Sequence, residues 1–173
     1  MSEAKKIAKR FFQIAAIFLL ILGMGRRADA QEFPKFSSKN FDGKVVTSDI
    51  FRDHKITMVN FWTTWCPPCI GEMPDLGKLG RAMPDGTQLI GIALDAENDE
   101  TIQEAKSILR KANADFPQIV PCADMASILE TVEAIPTTIF VDSKGNIVGE
   151  PIVGARNEQS YRKEIEAALK ALR

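Results

Sequence analysis

The run Ile56-Thr-Met-Val-Asn-Phe-Trp62 limits what this chain can fold into more than any other segment. Strand formers without a regular polar alternation read as a strand buried on both faces, lying inside a sheet that other layers cover. Three residues later comes Trp65-Cys66-Pro67-Pro68-Cys69. A helical stretch follows from about Pro67 to Met83, with Pro74 expected to interrupt and kink it. A buried strand that feeds directly into a helix is the signature of a compact α/β domain.

The flanking segments agree with that reading. Phe33 to Phe51 offers two short extended pieces around an Asp42-Gly43 turn. Thr87 to Leu94 is a second buried strand. Asn98 or Asp99 can cap a helix whose apolar face is Ile102, Ala105, Leu109 and Ala112. Ile119-Val120 is a short strand candidate, and Met125 to Val132 a short helix. Thr137 to Val141 and Ile147 to Val153 read as a strand and its returning partner around the turn Ser143–Asn146. Asn157 can cap a last helix with Tyr161, Ile165, Ala168, Leu169 and Leu172 at inward spacing. This order predicts a mixed central sheet with helices on both faces.

The net charge of −1 is an average over two unlike parts. Residues 1–30 carry six basic side chains (Lys5, Lys6, Lys9, Arg10, Arg26, Arg27) against two acids, leaving 16 basic and 21 acidic groups on residues 31–173. A basic start, an apolar stretch from Phe11 to Met24 and the small-residue ending Ala28-Asp29-Ala30 have the layout of a secretory signal, with a cut after Ala30. The stretch is short against the roughly 20 residues of a membrane span, although retention as an anchor stays open. The expected organisation is therefore a signal peptide or membrane anchor over 1–30 and one domain over 31–173. No basic patch with interleaved aromatics is present, so nucleic acid is not an expected partner.

Export sharpens the reading of three cysteines, because outside the cytosol a cysteine pair ends as a disulfide unless something keeps it reduced. Cys66 falls at a helix N-terminus, where unsatisfied N–H groups and the positive dipole end stabilise a thiolate below the ordinary pKa of about 8.5. Pro67 suits the first helical position, having no N–H to leave unpaired. Cys69, three residues on, lies on the same helical face and can close a small disulfide with Cys66. The pair can cycle between dithiol and disulfide, Cys66 attacking a substrate disulfide and Cys69 resolving the product. A zinc site would want a second pair, which is missing, and a structural disulfide across so short a loop would stabilise little. No metal or cofactor is expected beyond this redox pair.

These residues resemble the TlpA/ResA-type extracytoplasmic thiol–disulfide oxidoreductases of the thioredoxin superfamily. The likeness runs over Val59–Pro74 (Val-Asn-Phe-Trp-Thr-Thr-Trp-Cys-Pro-Pro-Cys-Ile-Gly-Glu-Met-Pro) and Ile135–Val148. It implies a thioredoxin-like fold with an N-terminal β-hairpin extension. It matches Pro136 to the family's cis-proline and Glu72 to an acidic residue that follows the pair; a partly buried carboxylate one turn past Cys69 would have a raised pKa and could move a proton. Trp65, Pro67, Pro68, Ile135 and Pro136 are the expected substrate surface, Trp65 also covering part of the disulfide, while Trp62 is expected in the core. Thioredoxins proper carry a buried aspartate where this chain has Asn60, which cannot titrate and is expected to satisfy buried backbone groups. The resemblance further implies a monomer that takes electrons from a membrane thiol donor and reduces exported protein disulfides, as in cytochrome c maturation.

Two other functions compete. Thr63-x-x-Cys66 imitates part of a peroxiredoxin signature, but Val59 stands where its proline belongs. A copper carrier could use Cys66 and Cys69 as soft ligands, with His54 the only available histidine. His54 otherwise reads as a solvated side chain. Cys122 reads as a small buried hydrophobe, with a second redox thiol as the alternative.

Overall fold

The computed structural model describes residues 31–172, and the expected export segment 1–30 lies outside them. Strands β1 (Ser37–Lys39) and β2 (Val45–Thr47) form an antiparallel hairpin with Ser37 opposite Thr47. Asn40 Oδ1 accepts the N–H groups of Asp42 and Lys44 across the turn. Gly43 takes a φ of 77° there, a conformation open to glycine without steric penalty. A 3-10 turn, Ser48–Phe51, leads into β3 (Ile56–Trp62). The chain continues through α1 (Pro67–Arg81), β4 (Thr87–Ala93), α2 (Asp99–Lys111), β5 (Gln118–Ile119), α3 (Ala126–Leu129), β6 (Thr137–Asp142), β7 (Ile152–Val153) and α4 (Glu158–Ala171).

The main sheet has the order β5-β4-β3-β6-β7. β3 lies parallel to β4 and antiparallel to β6. All seven residues of β3 are buried, which explains its lack of polar alternation. Its side chains still divide by face. Ile56, Met58 and Trp62 pack with Leu76 of α1, Leu109 of α2 and Ile165 of α4, whereas Val59 and Phe61 pack with Phe33, Phe36, Phe51 and Ile128. The crossovers β3-α1-β4 and β4-α2-β5 step the same way across the sheet, so right-handed connections put α1 and α2 on one face. The short α3 and the three N-terminal phenylalanines cover the other. Those three rings meet edge to face, 5.2 Å apart at the closest. The hairpin extension thus belongs to a segment that supplies core.

Four expected elements differ in the structure. α1 runs unbroken through Pro74 and stops at Arg81. Proline removes one helical hydrogen bond, and buried Met73 and Leu76 on either side hold both halves of the helix to the sheet. The returning strand expected over 147–153 shrinks to β7 and a single bridge between Val141 and Ile147. Gly149, at a φ of 76°, and Pro151, which has no N–H, break the ladder between them. The short strand sits at Gln118–Ile119, one residue earlier than expected. The helix expected over 125–132 is a 3-10 turn, Ala123–Met125, followed by the single turn of α3.

Gly91 of β4 pairs with Gln118 of β5. A Cβ there would overlap the Gln118 amide, whose Oε1 accepts the Trp62 Nε1–H at 3.0 Å. Gly91→Ala should displace that amide and orphan the buried indole N–H, costing about 2–3 kcal/mol. Urea unfolding checks this, and an unchanged midpoint would refute the packing account.

Candidate active site

The loop after β3 is pinned before it reaches the cysteines. Thr64 donates its N–H and its hydroxyl to Asp95 Oδ2 at 3.0 and 2.6 Å. Leu94 N–H donates to the Trp62 carbonyl at 2.8 Å. Asp95 and Leu94 follow β4, so the central strand pair fixes where α1 begins. Cys66 is the N-cap of that helix, and its Sγ accepts the Cys69 N–H at 3.2 Å. Pro67 and Pro68 fill the first two helical positions, where an N–H would have no partner anyway. No acidic side chain occupies the first turn, so the helix places no carboxylate of its own against its positive end.

Cys66 and Cys69 form a disulfide, with Cα atoms 5.2 Å apart. Cys69 is wholly buried and Cys66 is 3% exposed. The Ile135–Pro136 peptide is cis, and the Ile135 carbonyl oxygen stands 3.8 Å from Cys66 Sγ. Pro136 is buried and Ile135 half-buried, so Ile135 is the member of that pair open to a substrate. Pro67 and Pro68 are exposed beside the disulfide. Trp65 is 69% exposed, so it presents its ring to solvent more than it shields the sulfurs. It stands over a cleft of about 520 Å³ whose walls include Ile135, Leu94, Val132 and Glu97. A slightly larger cleft, about 590 Å³, lies between the hairpin and α2 and touches none of these residues.

Glu72, on α1 one turn past Cys69, is buried at 3% exposure. Its Oε1 accepts Asn60 Nδ2–H at 2.9 Å. Its Oε2 accepts the Tyr161 hydroxyl at 2.8 Å and the Arg156 backbone N–H at 3.0 Å. Burial raises the Glu72 pKa above its ordinary value, and the hydrogen bonds from Tyr161, Asn60 and Arg156 oppose that rise without cancelling it. The Tyr161 pKa is raised in turn, by burial and by the adjacent carboxylate. Asn60 also donates to Thr138 Oγ1 at 3.1 Å, so it serves side chains and not the backbone groups expected of it.

Sequence reasoning misses three partners of this site: Tyr161, Thr138 and Arg156. Inward spacing alone places Tyr161; the usable signal is that a tyrosine on a buried helix face must find a partner for its hydroxyl. The remaining candidates sit elsewhere. His54 precedes β3 and the cysteines follow it, so a seven-residue strand, about 20 Å of rise, separates them. That separation removes His54 as a copper partner. His54 is half-buried with Nδ1 unpaired, contrary to the solvated side chain expected. Cys122 is a free thiol, half-buried against the second core face. Among the described residues no cluster of three or more His, Cys, Asp or Glu side chains could hold a metal ion, and no helix is long and apolar enough to cross a membrane.

Residues 30–149 match the AhpC/TSA family. The chain is 30% identical over 130 residues to a thiol-disulfide oxidoreductase ResA of Bacillus cereus, a match that spans 75% of this chain and 72% of that protein. It is 30% identical over 149 residues to the thiol:disulfide interchange protein DsbE homolog of Paracoccus denitrificans, across 82% of this chain and 77% of that one. A crystal structure of a thiol:disulfide interchange protein of the thioredoxin family from Chlorobium tepidum TLS superposes with a TM-score of 0.67 at 26% identity, covering 82% of this chain and 98% of that one.

Proposed function

The chain belongs to the AhpC/TSA family and is a thiol–disulfide oxidoreductase of the ResA type with a thioredoxin-like fold, and from that premise we propose that it reduces protein disulfides outside the cytoplasm. The observation that carries the exchange chemistry, in either direction, is the placement of Cys66. Its sulfur caps α1, where the Cys69 N–H already points at it and would stabilise a thiolate once the disulfide opens.

In the dithiol form the Cys66 thiolate attacks one sulfur of a substrate disulfide. A Cys66–substrate bond forms and the other substrate sulfur leaves as a thiolate. Cys69 then loses its proton to Glu72 and attacks Cys66 Sγ. That step breaks the mixed disulfide, releases the second substrate thiolate and closes Cys66–Cys69. Two electrons have passed to the substrate, and protons from the Cys69 thiol and from solvent complete its two thiols. A membrane thiol donor returns the electrons by the reverse sequence. The substrate lies across Trp65, Pro67 and Pro68 on one side and Ile135 beside Pro136 on the other. Exported proteins with exposed disulfides, apocytochrome c among them, are the substrate class, and the basic-then-apolar pattern of residues 1–30 supports the location.

Equilibration against glutathione measures the direction. The Cys66–Cys69 couple should lie well below the roughly −120 mV of a strong oxidase and should reduce a protein disulfide such as insulin's. A potential near that oxidising value would make the enzyme a donor of disulfides instead.

A further inference from the structure

The reading of Glu72 as proton acceptor leaves unexplained how a carboxyl at 3% exposure stays usable as a base. The hydrogen-bond directions around it answer this. Asn60 Nδ2 has two protons; one goes to Glu72 Oε1 and the other to Thr138 Oγ1. Having accepted, Thr138 can give its own proton to the Tyr161 oxygen, 3.4 Å away. Tyr161 then gives its proton to Glu72 Oε2 at 2.8 Å. The ring is closed, and every donor in it runs toward the carboxylate. It draws on β3, β6, α4 and α1, so the fold itself orients it. We propose that Tyr161 is the positioning residue that keeps Glu72 ionised in its buried site and so sets the pH above which Cys69 can be deprotonated.

Other groups acting on the carboxyl are fewer. From the loop before α4, Arg156 contributes its N–H. Its guanidinium donates to the carbonyls of Val153, Gly154 and Ala155, and its positive charge adds a smaller pull toward the carboxylate. Asn60 from β3 and Thr138 from β6 are neutral. The Tyr161 hydroxyl heads the interactions that oppose the burial-driven rise of Glu72, so its loss should push the carboxyl further toward the protonated form. A phenylalanine would fill the same volume, and the hydroxyl is what packing alone does not require.

Tyr161 is the only tyrosine in the chain, so uniform incorporation of a fluorotyrosine labels this position alone. In the oxidised full-length protein its single fluorine NMR resonance should titrate with Glu72, and Glu72→Gln should flatten that titration. For the reduced protein, stopped-flow release of thionitrobenzoate from a Cys66 adduct reports the attack by Cys69. Tyr161→Phe should move the acid limb of that rate to higher pH by about one unit, the worth of one hydrogen bond to a charged group. The plateau should stay within about twofold. Difluorotyrosine, a stronger donor of the same shape, should move the limb the opposite way, and it decides the matter even if Tyr161→Phe does not fold. If Glu72→Gln leaves the limb in place, the proton-acceptor reading fails. If Glu72→Gln removes the limb but neither tyrosine change shifts it, the assignment of Tyr161 fails while that reading stands.

Discussion

Cys66→Ser is expected to lower disulfide-exchange turnover by about three orders of magnitude or more, whereas Cys69→Ala should retain the first half-reaction and accumulate a covalent adduct. The asymmetry follows from position. Cys66 Sγ is the N-cap atom of α1 and faces the Ile135 carbonyl beside the Trp65 cleft. Cys69 lies in the first turn beneath it, with no exposed surface. A serine at 66 keeps the cap but offers an alcohol that does not ionise near neutral pH, so attack on a disulfide stops. An alanine at 69 leaves the attacking sulfur in place and removes only the group that resolves the adduct. Turnover of a small disulfide measures the first variant. Gel shift and mass spectrometry of the second, after exposure to an oxidised protein substrate, show the trapped partner. Adducts on a Cys66→Ala protein, with none on Cys69→Ala, would reverse the assigned roles.

Local residues make that much readable. A buried strand, a loop and a proline-started helix occupy consecutive positions, so the strand period, the helix-start chemistry and the cysteine spacing all speak within fourteen residues of one another, from Ile56 to Cys69. The environment of Glu72 is different. Tyr161 lies 89 positions away, and Thr138 is visible in the sequence only as part of a strand. Inward spacing on α4 predicts that Tyr161 is buried, but not which group receives its hydroxyl. Arg156 acts through its backbone N–H, which the identity of its side chain does not encode. The broken ladder before β7 is a related case. Gly149 and Pro151 both argue against a continuous strand, but the alternation from Ile147 to Val153 outweighs them in a reading by periodicity.

Asn60→Asp should produce a protein close to wild type in stability near pH 4 and less stable by about 2–4 kcal/mol near pH 8. Asn60 Nδ2 now sits 2.9 Å from Glu72 Oε1 and 3.1 Å from Thr138 Oγ1. An aspartate oxygen in that place has no proton to donate, so two carboxyls would meet at hydrogen-bond distance in a buried site. They can remain together only by sharing a proton, which raises the pair's titration above the already raised value of Glu72. A group whose folded-state pKa exceeds its unfolded value contributes stability below the unfolded pKa and loses it as pH rises through the folded one. The variant's deficit must therefore grow with pH, from the unfolded carboxylate range near 4 upward. Urea midpoints across that range test the point, and a deficit that is constant, or larger in acid, would break the argument. The same reasoning accounts for the residue present. With the titrating carboxyl on α1, the neighbouring position on β3 is best filled by a neutral donor, because an amide stabilises the carboxylate that a second acid would force to protonate.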